Sequence, residues 1–400
     1  MLIGTNIEYA RLHNERVALE AIRHFEPTSR AEIARQTGLT VQTVSNIVDE
    51  LIGRGMIETT GRRLGKRGQP PRELKLKPDG AHTVGLDLNR DHVTGVLVNL
   101  AGHTVARVHY ELAYPTPQEA IPLMLGIIKQ LCAQAKLETK DLWGIGVSTP
   151  GPIEDSSGKL VSPPDFPGWD GVSLIKELGL PMGCPVFVEK DANAAAIGER
   201  WYGAGQSYQH FIYVYLGIGI GGGIILDGHP YRGSMGHAAE LGSVVQKLIN
   251  LASGKNLLDE PPTNGVNLSQ LYRYLSDEKI KIKGPQDLEK LFFKKHPRVL
   301  EWLEETVKVL IPTVLIFEDM FDPQAIIFGG RLPVPLLDYL LEKLQANLPA
   351  RLIRGVPRQC RFEHSQIVWD AACLGAASLP FFEAIAPTHN TLLKRVEVSR

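Results

Sequence analysis

Cysteine is scarce: 400 residues hold four (Cys132, Cys184, Cys360, Cys373), so far apart that no pair has zinc-ligand spacing and no disulfide framework is visible. That usage suits a reducing compartment. Long apolar runs are missing too. Stretches such as Val314-Leu315-Ile316-Phe317 fall far short of the ~18 residues needed to span a bilayer, so no membrane partner is expected. The first residues, Met1-Leu2-Ile3-Gly4-Thr5-Asn6-Ile7-Glu8, lack the basic start and apolar stretch of a secretion signal, so a cytoplasmic location is expected. An excess of one charge is absent as well, with 43 basic against 44 acidic residues. At 44% hydrophobic and 22% charged, the composition excludes disordered and fibrous classes. At roughly 150 residues per domain, the length implies two to three domains.

The balance hides an uneven distribution. Residues 1–80 carry 13 basic and 10 acidic side chains, whereas residues 81–400 carry 30 and 34. Within the first part, residues 54–77 hold eight basic residues against Glu58 and Glu73. Such a stretch fits an anionic partner or a solvated linker.

The first eighty residues have a helical grammar. Val17, Leu19, Ala21, Ile22 and Phe25 suggest one helix, closed by Pro27. Ser29-Arg30-Ala31-Glu32 fits a capping box that opens a short helix from Arg30 to about Gln36, which Gly38 is placed to end. Thr40 is the next N-cap, and Val44, Ile47, Val48 and Leu51 form one stripe of a third helix running to about Arg54. Met56 to Thr60 and Glu73 to Leu76 read as two strands flanking a basic, glycine-rich tip. This is the pattern of a winged helix-turn-helix, in which the third helix enters the major groove. A three-helix interaction module without DNA is the bland alternative. On the DNA reading the candidate contacts are Arg30, Gln42, Thr43, Ser45 and Asn46, with Arg62, Arg63, Lys66 and Arg67 on the wing and linker. Lys66 to Pro71 is either a minor-groove arm or a plain linker.

Beyond residue 80 the pattern turns to α/β. Strands are expected at Thr83–Leu88, Val93–Val98, Thr104–Tyr110, Leu142–Val147, Val186–Glu189 and Phe211–Leu216. A helix is expected at about 118–136, and an alanine-rich one begins at Asp191. The glycine run 217–223 reads as a loop, with strand resuming at Ile224. Mixed sheets with helices follow from that alternation.

A series of motifs then becomes specific: Asp87 after a first strand, Pro150-Gly151-Pro152, Phe166-Pro167-Gly168-Trp169, Asp191-Ala192-Asn193-Ala194-Ala195, the 217–223 run, Glu240-Leu241-Gly242, Phe328-Gly329-Gly330 and Leu374-Gly375-Ala376-Ala377. In this order they resemble the ROK family (repressors, open reading frames, kinases), and the winged helix points to its repressors rather than its stand-alone sugar kinases. The resemblance implies an actin/hexokinase-like fold of two α/β lobes with a sugar cleft between them. Residues 1–80 would then form the DNA-binding domain. Residues 81–200 would form a first lobe, completed by the C-terminal helices near 370–390, and residues 201–370 the second. It also implies a homodimer or tetramer, operator DNA as one partner and a carbohydrate-type effector as the other. The effector residues carried over are Thr149, Gly168, Lys190, Asp191 and Glu240, with Asp191 aligned to the kinase base.

Departures from the family pattern shape the expected function. The kinase phosphate loop Asp-x-Gly-Gly-Thr reads here Asp87-Leu88-Asn89-Arg90-Asp91, so side chains stand where phosphate needs bare backbone. Ile218 replaces the usual Thr of the second glycine loop. Loss of ATP binding and of kinase activity is expected, with Asp191 a vestigial base and no cofactor, although Arg90 offers another route to neutralising a phosphate. Lys190 precedes Asp191 where kinases have Asn; it either neutralises Asp191, accepts an anionic ligand or turns to solvent. The family's Gly-His is Gly242-Ser243 here, and residues 246–260 contain no cysteine, so no metal is expected. A sugar-sensing transcriptional regulator is the leading expectation. A ROK sugar kinase with an accessory domain and an effector-independent regulator are the alternatives.

Overall fold

The computed structural model describes residues 7–62, 72–154, 157–257, 259, 266–350 and 357–385. Three helices open the chain: α1 (Ile7–Phe25), α2 (Arg30–Thr37) and α3 (Val41–Gly53). The capping box at Ser29 is present, with the Glu32 amide donating to the Ser29 hydroxyl and the Ser29 amide to the Glu32 carboxylate. Gly38 ends α2 at φ 72°, and its amide donates to the Ala34 carbonyl. Thr40 caps α3 by accepting the Thr43 amide. The apolar stripe of α3 packs with Ala18, Ile22 and Ile33 into one core. A wing of β1 (Ile57–Arg62) and β2 (Arg72–Leu76) pairs antiparallel, Ile57 opposite Leu76, and Leu74 joins the same core. The wing tip lies outside the described residues.

Two five-stranded sheets follow. The first contains β3 (His82–Leu88), β4 (His92–Asn99) and β5 (Thr104–Glu111) as an antiparallel meander. After α4 (Pro117–Gln134) come β6 (Leu142–Thr149), a small hairpin of β7 (Ile153–Glu154) and β8 (Lys159–Leu160), α5 (Leu174–Met182) and β9 (Val186–Lys190). Strands β6 and β9 add in parallel, giving the order β5-β4-β3-β6-β9. Helix α6 (Asp191–Tyr202) leads to the second sheet. It comprises β10 (Phe211–Leu216), β11 (Ile220–Leu226), β12 (His229–Pro230), then, after α7 (Leu241–Ala252), α8 (Leu268–Asp277), α9 (Pro285–Phe293) and α10 (Pro297–Phe321), β13 (Ala325–Gly330). Helix α11 (Val334–Asn347) connects to β14 (Arg361–His364), and α12 (Ala371–Ile385) closes the described chain. The order β12-β11-β10-β13-β14 repeats the first sheet's plan: an antiparallel meander extended by two parallel strands.

Helices α6 and α12 cross in contact between the sheets, and small residues make that crossing possible. A Cβ on Gly375 would lie 1.7 Å from the Ala194 carbonyl oxygen, and one on Gly146 of β6 would lie 1.7 Å from that of Ala376. Ala192, Ala194, Ala195 and Ala196 are all buried in α6. One expectation needs correction. Gly221, Gly222 and Gly223 are not loop but the start of β11, where α6 and Ala239 press so close that only glycine fits. Periodicity missed this because glycine is a poor strand former where packing does not demand it.

The N-terminal domain shares its core with the rest of the chain. Phe381 of α12 lies in that domain's apolar cluster, and Trp143 and Trp201 pack against it. The Arg23 guanidinium of α1 sits 4.3 Å above the Trp201 ring while donating to both oxygens of Glu20. Trp201 is in the last turn of α6, whose first turn enters the cleft described next.

Candidate functional site

A cleft of about 360 Å³ opens where the two sheets meet. Strand β9 passes directly into α6, so Lys190 and Asp191 are delivered to its floor on a rigid corner. One Asp191 oxygen accepts the Ala192 amide at 2.7 Å and the other accepts Asn89 Nδ2 at 3.2 Å. Burial pushes the Asp191 carboxyl above its ordinary range, and the charge of Arg90 offsets this only in part. Lys190 does not turn to solvent and does not pair with Asp191. Its Nζ donates to Glu240 Oε1 at 2.8 Å and to the Ala238 carbonyl at 3.0 Å, while its own side chain is only 10% exposed. Glu240, at the start of α7, stays 51% exposed on the opposite wall.

Ile218, Gly219 and the first residues of β11 line one side of the cleft, with Ser243 and Asn267 beside them. Arg90 closes another side. Its Nε and Nη2 donate to the Pro164 carbonyl at 3.0 and 2.6 Å, which fixes the guanidinium against the cleft, with Nη1 toward Gly219.

Behind Arg90 the loop between β3 and β4 is wired internally. Asp87 accepts the Ser148 hydroxyl through one oxygen and faces His92 Nε2 at 2.9 Å through the other. His92 Nδ1 lies 2.6 Å from Asp91, and Arg331 Nε donates to Asp91 at 3.1 Å. Arg331, which follows β13, also grips Glu111 with Nη2 at 2.8 and 2.9 Å. This chain of charges ties the second sheet to the first. Burial disfavours the His92 cation, but Asp87 and Asp91 outweigh it and hold the imidazole up to about 9. Burial likewise opposes the Asp91 anion, and His92 and Arg331 overcome it, leaving that carboxyl below its usual range. His92 therefore carries a positive charge at neutral pH, next to the carboxylate that the resemblance places beside nucleotide phosphates.

The loop after β3, Asn89-Arg90-Asp91, offers none of the bare glycine backbone that cradles a phosphate. Asp87 has both oxygens occupied by Ser148 and His92, and the loop glycines are replaced by Asn89 and Arg90. The stretch after Glu240 forms helix α7 and offers no thiolate.

Of the effector candidates, Lys190, Asp191 and Glu240 come together in the cleft. Thr149 and Gly168 do not. Thr149 is fully buried, its hydroxyl finds no partner among the described residues, and the cleft wall begins one residue later at Pro150. Gly168, at φ 81°, is exposed on a turn whose Phe166 and Trp169 are buried and stack at 5.1 Å, and only Pro117 lies near it. Sequence reasoning missed Asn267 and Pro164. Asn267 carried a signal as an N-cap for α8, whereas the carbonyl of Pro164 had none.

On the N-terminal domain, Gln42 and Asn46 are exposed on α3, Ser45 is half-buried, and the Thr43 hydroxyl is bonded to that of Thr40 at 2.8 Å. Arg30 is paired with Asp49 at 2.6 Å. Arg62 ends β1, while Arg63, Lys66 and Arg67 lie outside the described residues.

Comparison with known proteins supplies an independent view. The ROK family model matches residues 83–381, and a model of the MarR family matches residues 14–68. The chain is 32% identical to the xylose repressor of Bacillus subtilis over 229 residues, which span 57% of this chain and 59% of that one. An uncharacterized protein of Sinorhizobium fredii, y4fQ, is 29% identical over 373 residues, covering 93% of this chain and 91% of its own. The solved structure of a ROK family transcriptional regulator, a homologue of the E. coli MLC protein, superposes with a TM-score of 0.74 at 19% identity over 95% of this chain and 97% of that one. At that identity the likeness is one of fold.

Proposed function

Because the chain belongs to the ROK family and carries a MarR-like winged helix ahead of it, we propose that it is a transcriptional regulator, acting as a repressor, whose reading head binds operator DNA and whose cleft senses a sugar or sugar derivative. One observation carries this reading. On one side Asp191 and Glu240 line the cleft, with Glu240 half exposed, while on the other Asp87 is buried away from it and bonded to Ser148 and His92. Carboxylates facing a polar cleft suit sugar hydroxyls, and a phosphate loop neutralised from within does not suit ATP.

In this reading residues 1–80 are the head, residues 81–200 with the helix near 370–390 one lobe, and residues 201–370 the other. Two copies would place two heads on operator half-sites separated by whole helical turns, so a modest reorientation costs much affinity. Helix α6 supplies the route, since Asp191 is in its first turn and Trp201, beneath Arg23, in its last. A sugar that shifts the lobes would move the head through α6 and α12.

The test is a melting-temperature panel of neutral sugars, sugar phosphates and sugar acids on the full chain, paired with duplex binding with and without each compound. A compound that raises the melting temperature and alters duplex affinity supports the proposal. No response to any compound contradicts sensing and favours an effector-independent regulator. A sugar kinase is the second reading, favoured by Asp191 alone, which keeps the position and raised carboxyl of a general base. ATP-dependent phosphorylation of any sugar by pure protein would establish it.

A further inference from the structure

We infer that the first turn of α3 reads an adenine–thymine pair, with Gln42 and Asn46 holding the adenine and Val41 covering the thymine methyl. This rests on the reading of α3 as the helix that enters the major groove.

Gln42 and Asn46 are one helical turn apart, and Gln42 Nε2 donates to Asn46 Oδ1 at 3.1 Å. That bond uses one donor and one acceptor. It leaves Gln42 Oε1 as the amide acceptor untouched by that bond and Asn46 Nδ2 as a donor, with one further Nε2 hydrogen, on two exposed side chains already restrained against one another. Adenine presents an N6 donor beside an N7 acceptor in the major groove, the complement of that pair. Guanine presents two acceptors there and no donor, so Gln42 Oε1 would stay unmatched. Cytosine offers a lone donor and thymine a lone acceptor, so each leaves one amide group unmatched.

Val41 supplies the second half. It is 60% exposed, whereas the apolar stripe of the same helix is at most 7% exposed. A β-branched apolar residue at the first helical position has no helical reason to be there. The hydrophobic contact that commonly braces a helix start falls to Leu39, before the cap, which packs against the head core that includes Val44. Val41 is therefore free to meet a ligand, and the apolar group that the major groove offers is the C5 methyl of thymine. Asp49 on the same helix would repel a phosphate backbone, but Arg30 neutralises it at 2.6 Å.

The test is in vitro selection with the full-length protein on a random duplex library at low ionic strength, followed by binding to the selected duplex. The enriched half-site is expected to contain a fixed A·T pair. Gln42→Ala and Asn46→Ala should each weaken binding about tenfold and relax that position. Replacing the thymines of the duplex by deoxyuridine should weaken the native protein about fourfold, the worth of one buried methyl, and leave Val41→Ala unaffected. All three side chains lie on the surface, so unchanged melting temperatures will show that the variants fold. A fixed G·C pair at the position set by Gln42 and Asn46, or equal sensitivity of native protein and Val41→Ala to deoxyuridine, overturns the assignment while leaving DNA binding intact. Retention of no duplex at all overturns the DNA reading and this assignment with it.

Discussion

On the α6 side, Asp191 and Glu240 line the cleft, Asp191 anchored by Ala192 and Asn89 and Glu240 half exposed. On the β3–β4 side, Asp87 is enclosed by Ser148 and by a histidine that carries its own positive charge. Both sides descend from one family plan, yet only one remains open to an incoming molecule. The difference teaches that a carboxylate's availability depends on what the rest of the chain does to it, not on its presence in a motif. Asp87 is retained in sequence and occupied in structure. Glu240 is retained and, although Lys190 leans on it, still half exposed.

The largest expected effect comes from breaking the closed side. His92→Ala would leave Asp87 and Asp91 buried without their shared cation, and breaking a buried ion pair costs about 3–5 kcal/mol. Urea unfolding at pH 7 should show that loss. The pH dependence has a definite sign. His92 is raised from its unfolded value near 6.5 to about 9 in the folded chain, so its contribution is complete below about 6.5 and fades as pH rises through about 9. Native protein should lose stability across that window, and His92→Ala should lack that component.

The open side should respond differently. Asp191→Asn and Glu240→Ala should each abolish the melting-temperature rise produced by the effective sugar. For the native chain that rise corresponds to about 2.7 kcal/mol at a hundredfold excess over Kd. Duplex binding without sugar should survive both substitutions. If His92→Ala instead proves harmless while Asp191→Asn unfolds the chain, the assignment of the two sides is reversed.

Smaller effects sharpen the link to the head. Trp201→Ala removes the ring beneath Arg23, a contact worth about 0.5–2 kcal/mol. Sugar binding and duplex binding should both persist, but the change in duplex affinity caused by sugar should shrink, as measured by titrating duplex with and without ligand. Lys190→Met should free Glu240 for ligand hydroxyls and change sugar affinity by about 1 kcal/mol or less, in line with a partly exposed ion pair.

How much of this was legible in the sequence depended on range. The capping box at Ser29, the Gly38 stop and the α3 stripe were readable because each signal lies within one or two turns of its partner. Asp191 and Glu240 were readable through motif order alone. The partnership of Asp91 with Arg331 was not, since 240 residues separate them and neither sits in a motif that names the other. The fate of Lys190 was open for the same reason: three placements fit its sequence context, and only the approach of α7 selects one. Thr149 and Gly168 stand beside cleft motifs in the sequence but do not line the cleft, since one is buried behind Pro150 and the other is exposed on a separate turn. The glycines of β11 were read as a loop because their reason for being glycine is α6 and Ala239, which no local pattern reveals.

The most direct test is a parallel titration of the full-length protein with a panel of neutral pentoses and hexoses and with Mg-ATP, followed by melting temperature. The account predicts that at least one sugar raises the melting temperature and that Mg-ATP leaves it unchanged, with or without that sugar. A rise with Mg-ATP, or its consumption in the presence of a sugar, would contradict it.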